Sequence, residues 1–168
     1  MKKLLTVVLT AMLALGLVAC GGDSNNEGGL VSGSADTFGQ NVVIEYRITA
    51  DANKDADALT IATKLSESEF FGELSLMAAE IDPAYMPGFA DATIEGYESA
   101  AMLAPMIGVI PFVSYIFNLA EGTDANAFAE NLKAVADPNW NICTTADETL
   151  TYVEGNTVFF VMSPASMD

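Results

Sequence analysis

Near its C-terminus the chain reads Thr149-Leu150-Thr151-Tyr152-Val153, then Glu154-Gly155-Asn156, then Thr157-Val158-Phe159-Phe160-Val161-Met162. The first and third runs are rich in the β-branched and aromatic residues that favour strands. Gly-Asn between two such runs is a good short-range signal for a β-hairpin. The sequence therefore predicts an antiparallel pair of strands here, and the rest of the fold is built outward from this pair.

Residues 99–120 form a second unit, which carries no charge at all. Its length would suffice for a membrane-spanning helix, but Pro105, Gly108 and Pro111 interrupt it and acidic residues flank it. We therefore predict a strand, a bend over residues 105–111, and a second strand. Such continuous apolarity indicates either central strands covered on both faces or an exposed apolar face that binds something.

Two segments have the spacing of amphipathic helices. In residues 124–136 the apolar side chains recur every third or fourth position, Thr123 or Asp124 can cap the start, and Asp137-Pro138 ends the pattern. Residues 58–65 show the same spacing. We predict a helix over each segment.

An acidic run precedes the helix predicted at residue 58 and has possible oxygen ligands at alternate positions: Asp51, Asn53, Asp55 and Asp57. An EF-hand calcium loop has this alternation, with Gly at its sixth position and Glu at its twelfth. Here Ala56 and Ala62 stand at those positions. We favour a helix start, because Asp and Asn cap helices and acidic side chains suit the positive end of the helix dipole. A cation-binding domain is the alternative.

The remaining segments give weaker patterns. Residues 41–48 are rich in β-branched side chains and predict an edge strand or extended arm. Residues 66–69 have capping-box spacing, and a helical stripe follows, although Gly72 would also allow an extended segment. The stripe consists of Phe70, Leu74, Met77 and Ile81. Residues 82–97 look irregular, and residues 140–145 are expected to return to the core.

Together these elements predict an α+β fold for residues 37–168, taken as a single acidic domain. The expected architecture is a small antiparallel sheet with helices packed on it. The expected order is helix, strand, strand, helix, strand, strand.

The N-terminus has the pattern of a secretory signal peptide. Lys2 and Lys3 precede an uncharged run over residues 4–16, and Leu17-Val18-Ala19-Cys20 follows. This stretch resembles the lipobox of bacterial lipoproteins. The resemblance implies that residues 1–19 are removed and that the thiol of Cys20 carries a diacylglyceryl group. Residues 20–36, rich in Gly, Ser and Asn, would then be a lipid-anchored flexible linker.

A second resemblance covers most of the predicted domain, which is similar to small uncharacterised lipoproteins of Gram-positive bacteria. It rests on four runs: residues 104–108, 110–113, 137–143 and 158–162. The resemblance implies the cell envelope and the same order of elements, but no activity and no catalytic residue.

The charge and the side chains available exclude several functions. The chain has 23 acidic and 6 basic residues, and removal of the signal peptide would leave only Arg47, Lys54, Lys64 and Lys133 as bases. Such a surface repels nucleic acid and anionic headgroups. The chain has no His, which removes Ser-His-Asp and Cys-His catalysis and His metal sites. With Cys20 lipidated, Cys143 is the one other thiol, and we expect it to be buried.

We therefore predict a non-catalytic binding or interaction module of the cell envelope, with no cofactor and no metal. It would be anchored through Cys20 to the cell membrane, would face outside the cytoplasm, and could have an envelope protein as partner. Residues 105–111 are the candidate contact surface, although we favour simple core packing for them. The alternative is a small enzyme acting on cell-wall or glycan substrates through an acid pair such as Glu95 and Glu98.

Overall fold

The computed structural model describes residues 35–89 and 92–167. The predicted signal peptide, the lipidation residue Cys20 and most of the predicted linker lie outside these residues. Within them the chain forms three α-helices, one 3₁₀ helix and five strands. In order these are α1 (Phe38–Ala52), α2 (Ala58–Ser66), the 3₁₀ helix (Glu69–Leu74), β1 (Leu76–Glu80), β2 (Tyr97–Pro105), β3 (Val113–Leu119), α3 (Ala125–Val135), β4 (Glu148–Glu154) and β5 (Thr157–Ser163).

The five strands form one antiparallel sheet in the order β1-β2-β3-β5-β4. The predicted C-terminal hairpin is confirmed: β4 pairs with β5, with Val153 opposite Val158 and Gly155 in the left-handed region at φ 57°. The strand-turn-strand prediction for residues 99–120 is also confirmed by β2 and β3. The fold class is α+β, as predicted. In the described part of the chain, no helix is long and apolar enough to cross a membrane.

Both faces of the sheet are covered. Helices α1 and α2 pack on one face, over inward side chains that include Ile116 and Phe159. Helix α3 and the irregular segment after β1 cover the other face, over Tyr115, Phe117 and Phe160. The central strands β3 and β5 are therefore buried on both sides, which explains why their sequences are continuously apolar instead of alternating.

The prediction of a strand or arm over residues 41–48 is wrong, because these residues belong to α1. Its buried residues, Gly39, Val42, Val43 and Tyr46, recur at helical spacing and face the sheet. The ring of Tyr46 stacks on that of Phe159, with centroids 4.2 Å apart. Packing of this face outweighs the strand preference of the β-branched residues, which is only a weak prior.

The predicted helical stripe from Phe70 to Ile81 is wrong beyond its first turn, where the alternative of an extended segment after Gly72 is confirmed by β1. Ser68 caps a short 3₁₀ helix, which is kinked at Gly72 (φ 21°, ψ −81°) and ends at Ser75 (φ 46°). Strand β1 follows and pairs with β2 along its whole length. The sheet therefore has one more edge strand than predicted, and α1 adds a second helix before it.

The two helices predicted from their amphipathic spacing, over residues 58–65 and 124–136, are present as α2 and α3 and are capped as expected. The side chain of Asp57 accepts a 2.7 Å hydrogen bond from the Thr60 amide at the start of α2. The side chain of Asp124 accepts from the amides of Asn126 and Ala127 at the start of α3. The helix-start interpretation of the acidic run is thus confirmed at Asp57.

Candidate functional site

The loop between β2 and β3 presents apolar side chains to solvent. Met106, Ile107 and Val109 are 70%, 72% and 65% exposed. Only the last part of the bend reaches the core, where Ile110 is half-buried and Phe112 is buried. Core packing, which the sequence favoured for residues 105–111, is therefore wrong for three of the loop's apolar side chains.

A second loop, between α3 and β4, lies against the first. The Asn141 side-chain amide donates hydrogen bonds to the carbonyl oxygens of Gly108 (2.9 Å) and Ile110 (3.4 Å). The next residue, Ile142, is 99% exposed. Asn141 thus joins the two loops, and Ile142 follows it directly on the second loop.

The predicted return of residues 140–145 to the core is only partly correct. Trp140 is half-buried against the core on the α3 side of the sheet. Cys143 is exposed, so the prediction of a buried thiol is wrong. The Asn141 side chain accepts from the Cys143 amide (3.4 Å), and this local turn faces Ile142 and Cys143 outward.

We call the exposed side chains of Met106, Ile107, Val109 and Ile142 the apolar tip. They are four of the nine large hydrophobic side chains that are exposed among the described residues. Neither loop contains a charged residue over positions 105–111 or 138–146, in a chain of net charge −17. Removing one such side chain from water is worth roughly 1.5–3 kcal/mol. A concentration of exposed apolar side chains is a candidate interaction site.

The N-terminal part of the chain enters the domain beside the apolar tip. The Phe38 ring contacts the Phe112 ring edge-on (centroids 5.9 Å apart) and stacks on the Phe70 ring (5.6 Å). The Phe38 amide donates to the Ala165 carbonyl oxygen (2.8 Å). The first described residues, the last described residues and the apolar tip therefore share one end of the sheet.

The opposite end of the sheet is acidic and grooved. One groove, of about 380 Å³, is lined by the carboxylates of Asp57, Glu80 and Glu98 together with apolar residues. A second, of about 270 Å³, is lined by side chains that include Asp51, Lys54 and Glu154. The nine residues of β2 separate the two ends by roughly 26 Å.

The predicted acid pair is not brought together on a cavity. Glu98 lines the larger groove, whereas Glu95 does not, and both side chains are exposed. Among the described residues, no three His, Cys, Asp or Glu side chains are grouped so that they could hold a metal ion. In the acidic run, Asp51 forms an exposed ion pair with Lys54 (3.6 Å), and Asp57 is occupied as a cap.

The resolved pKa shifts do not create a general base near neutral pH. Hydrogen bonds from the Thr60 hydroxyl and amide lower the pKa of Asp57. Burial raises the pKa of Tyr46 and Tyr115, whose hydroxyls therefore move further from ionisation. The Tyr115 hydroxyl donates to the Pro87 carbonyl oxygen (2.8 Å), so its role is structural.

No protein-family model, curated protein or solved structure matches this chain. The resemblance to bacterial lipoproteins and the lipidation of Cys20 therefore stay predictions.

Proposed function

We propose that the chain is an extracytoplasmic, lipid-anchored module of the cell envelope that binds through its apolar tip and performs no catalysis. The observation that carries the binding role is the exposure of Met106, Ile107, Val109 and Ile142 on two uncharged loops joined by Asn141. The lipobox-like residues 17–20 support the anchor.

The chemistry of the side chains supports a non-catalytic role. Without His, a neutral-pH reaction would need a carboxylate or tyrosine with its pKa moved toward 7, or a Cys or Lys nucleophile activated by a neighbouring group. The resolved shifts move Asp57 and the buried tyrosines away from that value. The exposed tip, by contrast, needs no titration in order to bind.

The anchor is tested by the mass and the location of a Cys20→Ala variant. The wild-type chain should lose residues 1–19, gain the mass of the lipid on Cys20 and fractionate with membranes. Cys20→Ala should yield an unprocessed or soluble form, because the lipidated thiol is absent. Cys143→Ala is the matched control. It should still lose residues 1–19, gain the mass of the lipid and fractionate with membranes. Unchanged mass and membrane association of Cys20→Ala would show that the anchor is wrong.

The binding surface is tested by crosslinking in intact cells. With a benzophenone amino acid at position 107, Met106→Asp places a charge on the tip and should abolish the crosslinked product, lipid or protein, that forms without this substitution, while leaving the thermal melting midpoint nearly unchanged. Ile48→Asp, at an exposed apolar residue of α1 outside the tip, should leave the product intact. Unfolding of Met106→Asp would restore the core-packing interpretation.

A further inference from the structure

We propose that the apolar tip dips into the surface of the bilayer that holds the lipid anchor, so that the domain stands on the membrane by two contacts. This inference rests on the proposed anchoring through Cys20. It assigns the occupant of the tip as lipid, not a protein partner and not a second copy of the chain.

The chain enters the domain at the end of the sheet that carries the apolar tip. Phe38 contacts Phe112, and Phe112 directly follows the bend that carries the tip. Only 14 residues lie between Cys20 and Ala35. Even fully extended, a segment of this length spans at most about 50 Å. A lipid on Cys20 therefore holds the domain within this distance of the bilayer, and because the chain enters at the tip end, it raises the effective concentration of the tip at the bilayer surface.

The shape and chemistry of the apolar tip suit lipid better than a protein surface. Its side chains project from two turns, and an added Cβ at Gly108 would meet nothing within 4 Å. A protein partner would need a concave surface matched to these projections, whereas acyl chains accept them without a fixed shape. Trp140, two residues before Ile142 in the chain, is half-buried, and a partly exposed Trp next to an apolar surface suits the headgroup layer.

The charges around the apolar tip form a boundary between uncharged loops and acidic residues. The two loops are the uncharged part of this end, and carboxylates begin immediately outside them. Asp137 and Asp147 flank the second loop, and the Asp147 side chain accepts from the Ala165 amide (3.0 Å). Such a boundary allows the apolar side chains to enter while the acidic rim stays in water. It also predicts a weaker contact with anionic lipid, because like charges repel.

The test uses Cys143 as a built-in reporter. In the lipidated full-length protein Cys20 is blocked, so a bimane reagent labels the exposed thiol of Cys143 beside Ile142. The labelled protein is reconstituted in phosphatidylcholine vesicles that contain a lipid with a nitroxide near the headgroup. Its control is Glu121→Cys in a Cys143→Ser background, which places the label on an exposed residue just after β3, at the acidic end.

Quenching of most of the emission at Cys143, with little at residue 121, is the expected result. It should weaken when Met106 and Ile107 are both changed to Asp, and when phosphatidylglycerol replaces phosphatidylcholine at low salt. Equal quenching at both positions, or none at Cys143 while the protein still floats with the vesicles, would overturn the tip contact and leave the anchor standing. Crosslinked dimers through the tip would overturn it in favour of a second copy. If the mature protein does not carry the mass of a lipid on Cys20, the proposed anchoring itself is wrong.

Discussion

The two ends of the sheet differ as sharply in chemistry as any two regions of this molecule. At one end, two uncharged loops expose Met106, Ile107, Val109 and Ile142, and the N-terminal part of the chain enters beside them. At the other, carboxylates line two grooves, among them Asp57, Glu80 and Glu98. The same strands connect both ends. The difference is made by two uncharged loops at one end, and at the other by carboxylates on strand ends (Glu80, Glu98) and on the cap of α2 (Asp57).

This difference shows how one small domain can have an orientation. Under the proposed anchoring, the apolar end, where the chain enters the domain, would face the membrane, and the acidic end roughly 26 Å away would face water, where it would attract cations or basic partners. The uncharged run of residues 99–120 contributes to both the core and the apolar end. Its strand residues are mostly buried in the core, whereas Met106, Ile107 and Val109 are exposed at the apolar end.

The largest expected effect is a difference in unfolding free energy between a core residue and a tip residue of the same β2–β3 connection. Phe112→Ala removes a buried ring that contacts Phe38 and Phe71, and should lower the free energy of unfolding by about 3–5 kcal/mol. Ile107→Ala, five residues earlier and exposed, should change it by less than about 0.5 kcal/mol. Urea denaturation measures both. Similar costs for the two variants would mean that the tip is part of the core.

A second effect tests how tightly α1 holds the apolar end together. A Cβ at Gly39 would lie 2.6 Å from the Ser163 Oγ and 2.7 Å from the Glu148 Oε2. Gly39→Ala should therefore destabilise the fold by about 1–3 kcal/mol, although Ala is the better helix former. The same denaturation experiment measures this cost.

The control for Gly39→Ala is a second change at its neighbour. The Ser163 hydroxyl is buried and has no hydrogen-bond partner among residues 35–89 and 92–167, so Ser163→Ala should cost little by itself. Combined with Gly39→Ala it should restore part of the lost stability. A double variant no better than Gly39→Ala alone would show that close approach is not the cause.

A smaller effect is expected from a cap at the acidic end. Asp124 accepts from two amides in the first turn of α3, and Asp124→Ala should cost about 1 kcal/mol. Asn126→Ala, exposed in the same turn, should cost much less. Thermal melting compares the two, and equal shifts would argue against the cap.

The smallest effect is a pH dependence from Asp57. Its pKa is lowered in the folded state by the Thr60 hydroxyl and amide, so its contribution to stability is present above the unfolded pKa of about 3.8 and is lost as the pH falls through the folded value. Asp57→Asn should thus be less stable than wild type at neutral pH, and the gap should shrink near pH 3. Because the side chain is fully exposed the gap will be small. A gap that widens on acidification would contradict this account.

The parts of the fold that sequence predicts are those with local signals. Gly155-Asn156 marks the β4–β5 turn, Asp137-Pro138 ends the α3 segment, and the charge-free run contains β2 and β3. Strand β1 lacks such a signal, and in α1 the helical spacing of its buried residues competes with the strand preference of its β-branched side chains. Their identity is decided by contacts with distant residues, such as Tyr46 on Phe159 and Glu80 opposite Ala101.

The candidate site shows the same limit more plainly. The composition of residues 105–111 identified the loop, but apolarity alone cannot tell an exposed Ile107 from a buried Phe112. Ile142 and Cys143 face outward because the Asn141 side chain bonds to a loop more than 30 residues away. No local pattern predicts that hydrogen bond, although an Asn between apolar residues is a signal that a turn is possible there.

The most direct test of the account is photocrosslinking in intact cells from the two ends of the sheet. A benzophenone amino acid replaces Ile107 in one variant and Glu98 in the other, and the mass of each crosslinked protein is measured. The account predicts that the reporter at residue 107 gains the mass of a phospholipid and that the reporter at residue 98 does not. A protein adduct at residue 107, or lipid adducts of equal yield at both positions, would contradict it.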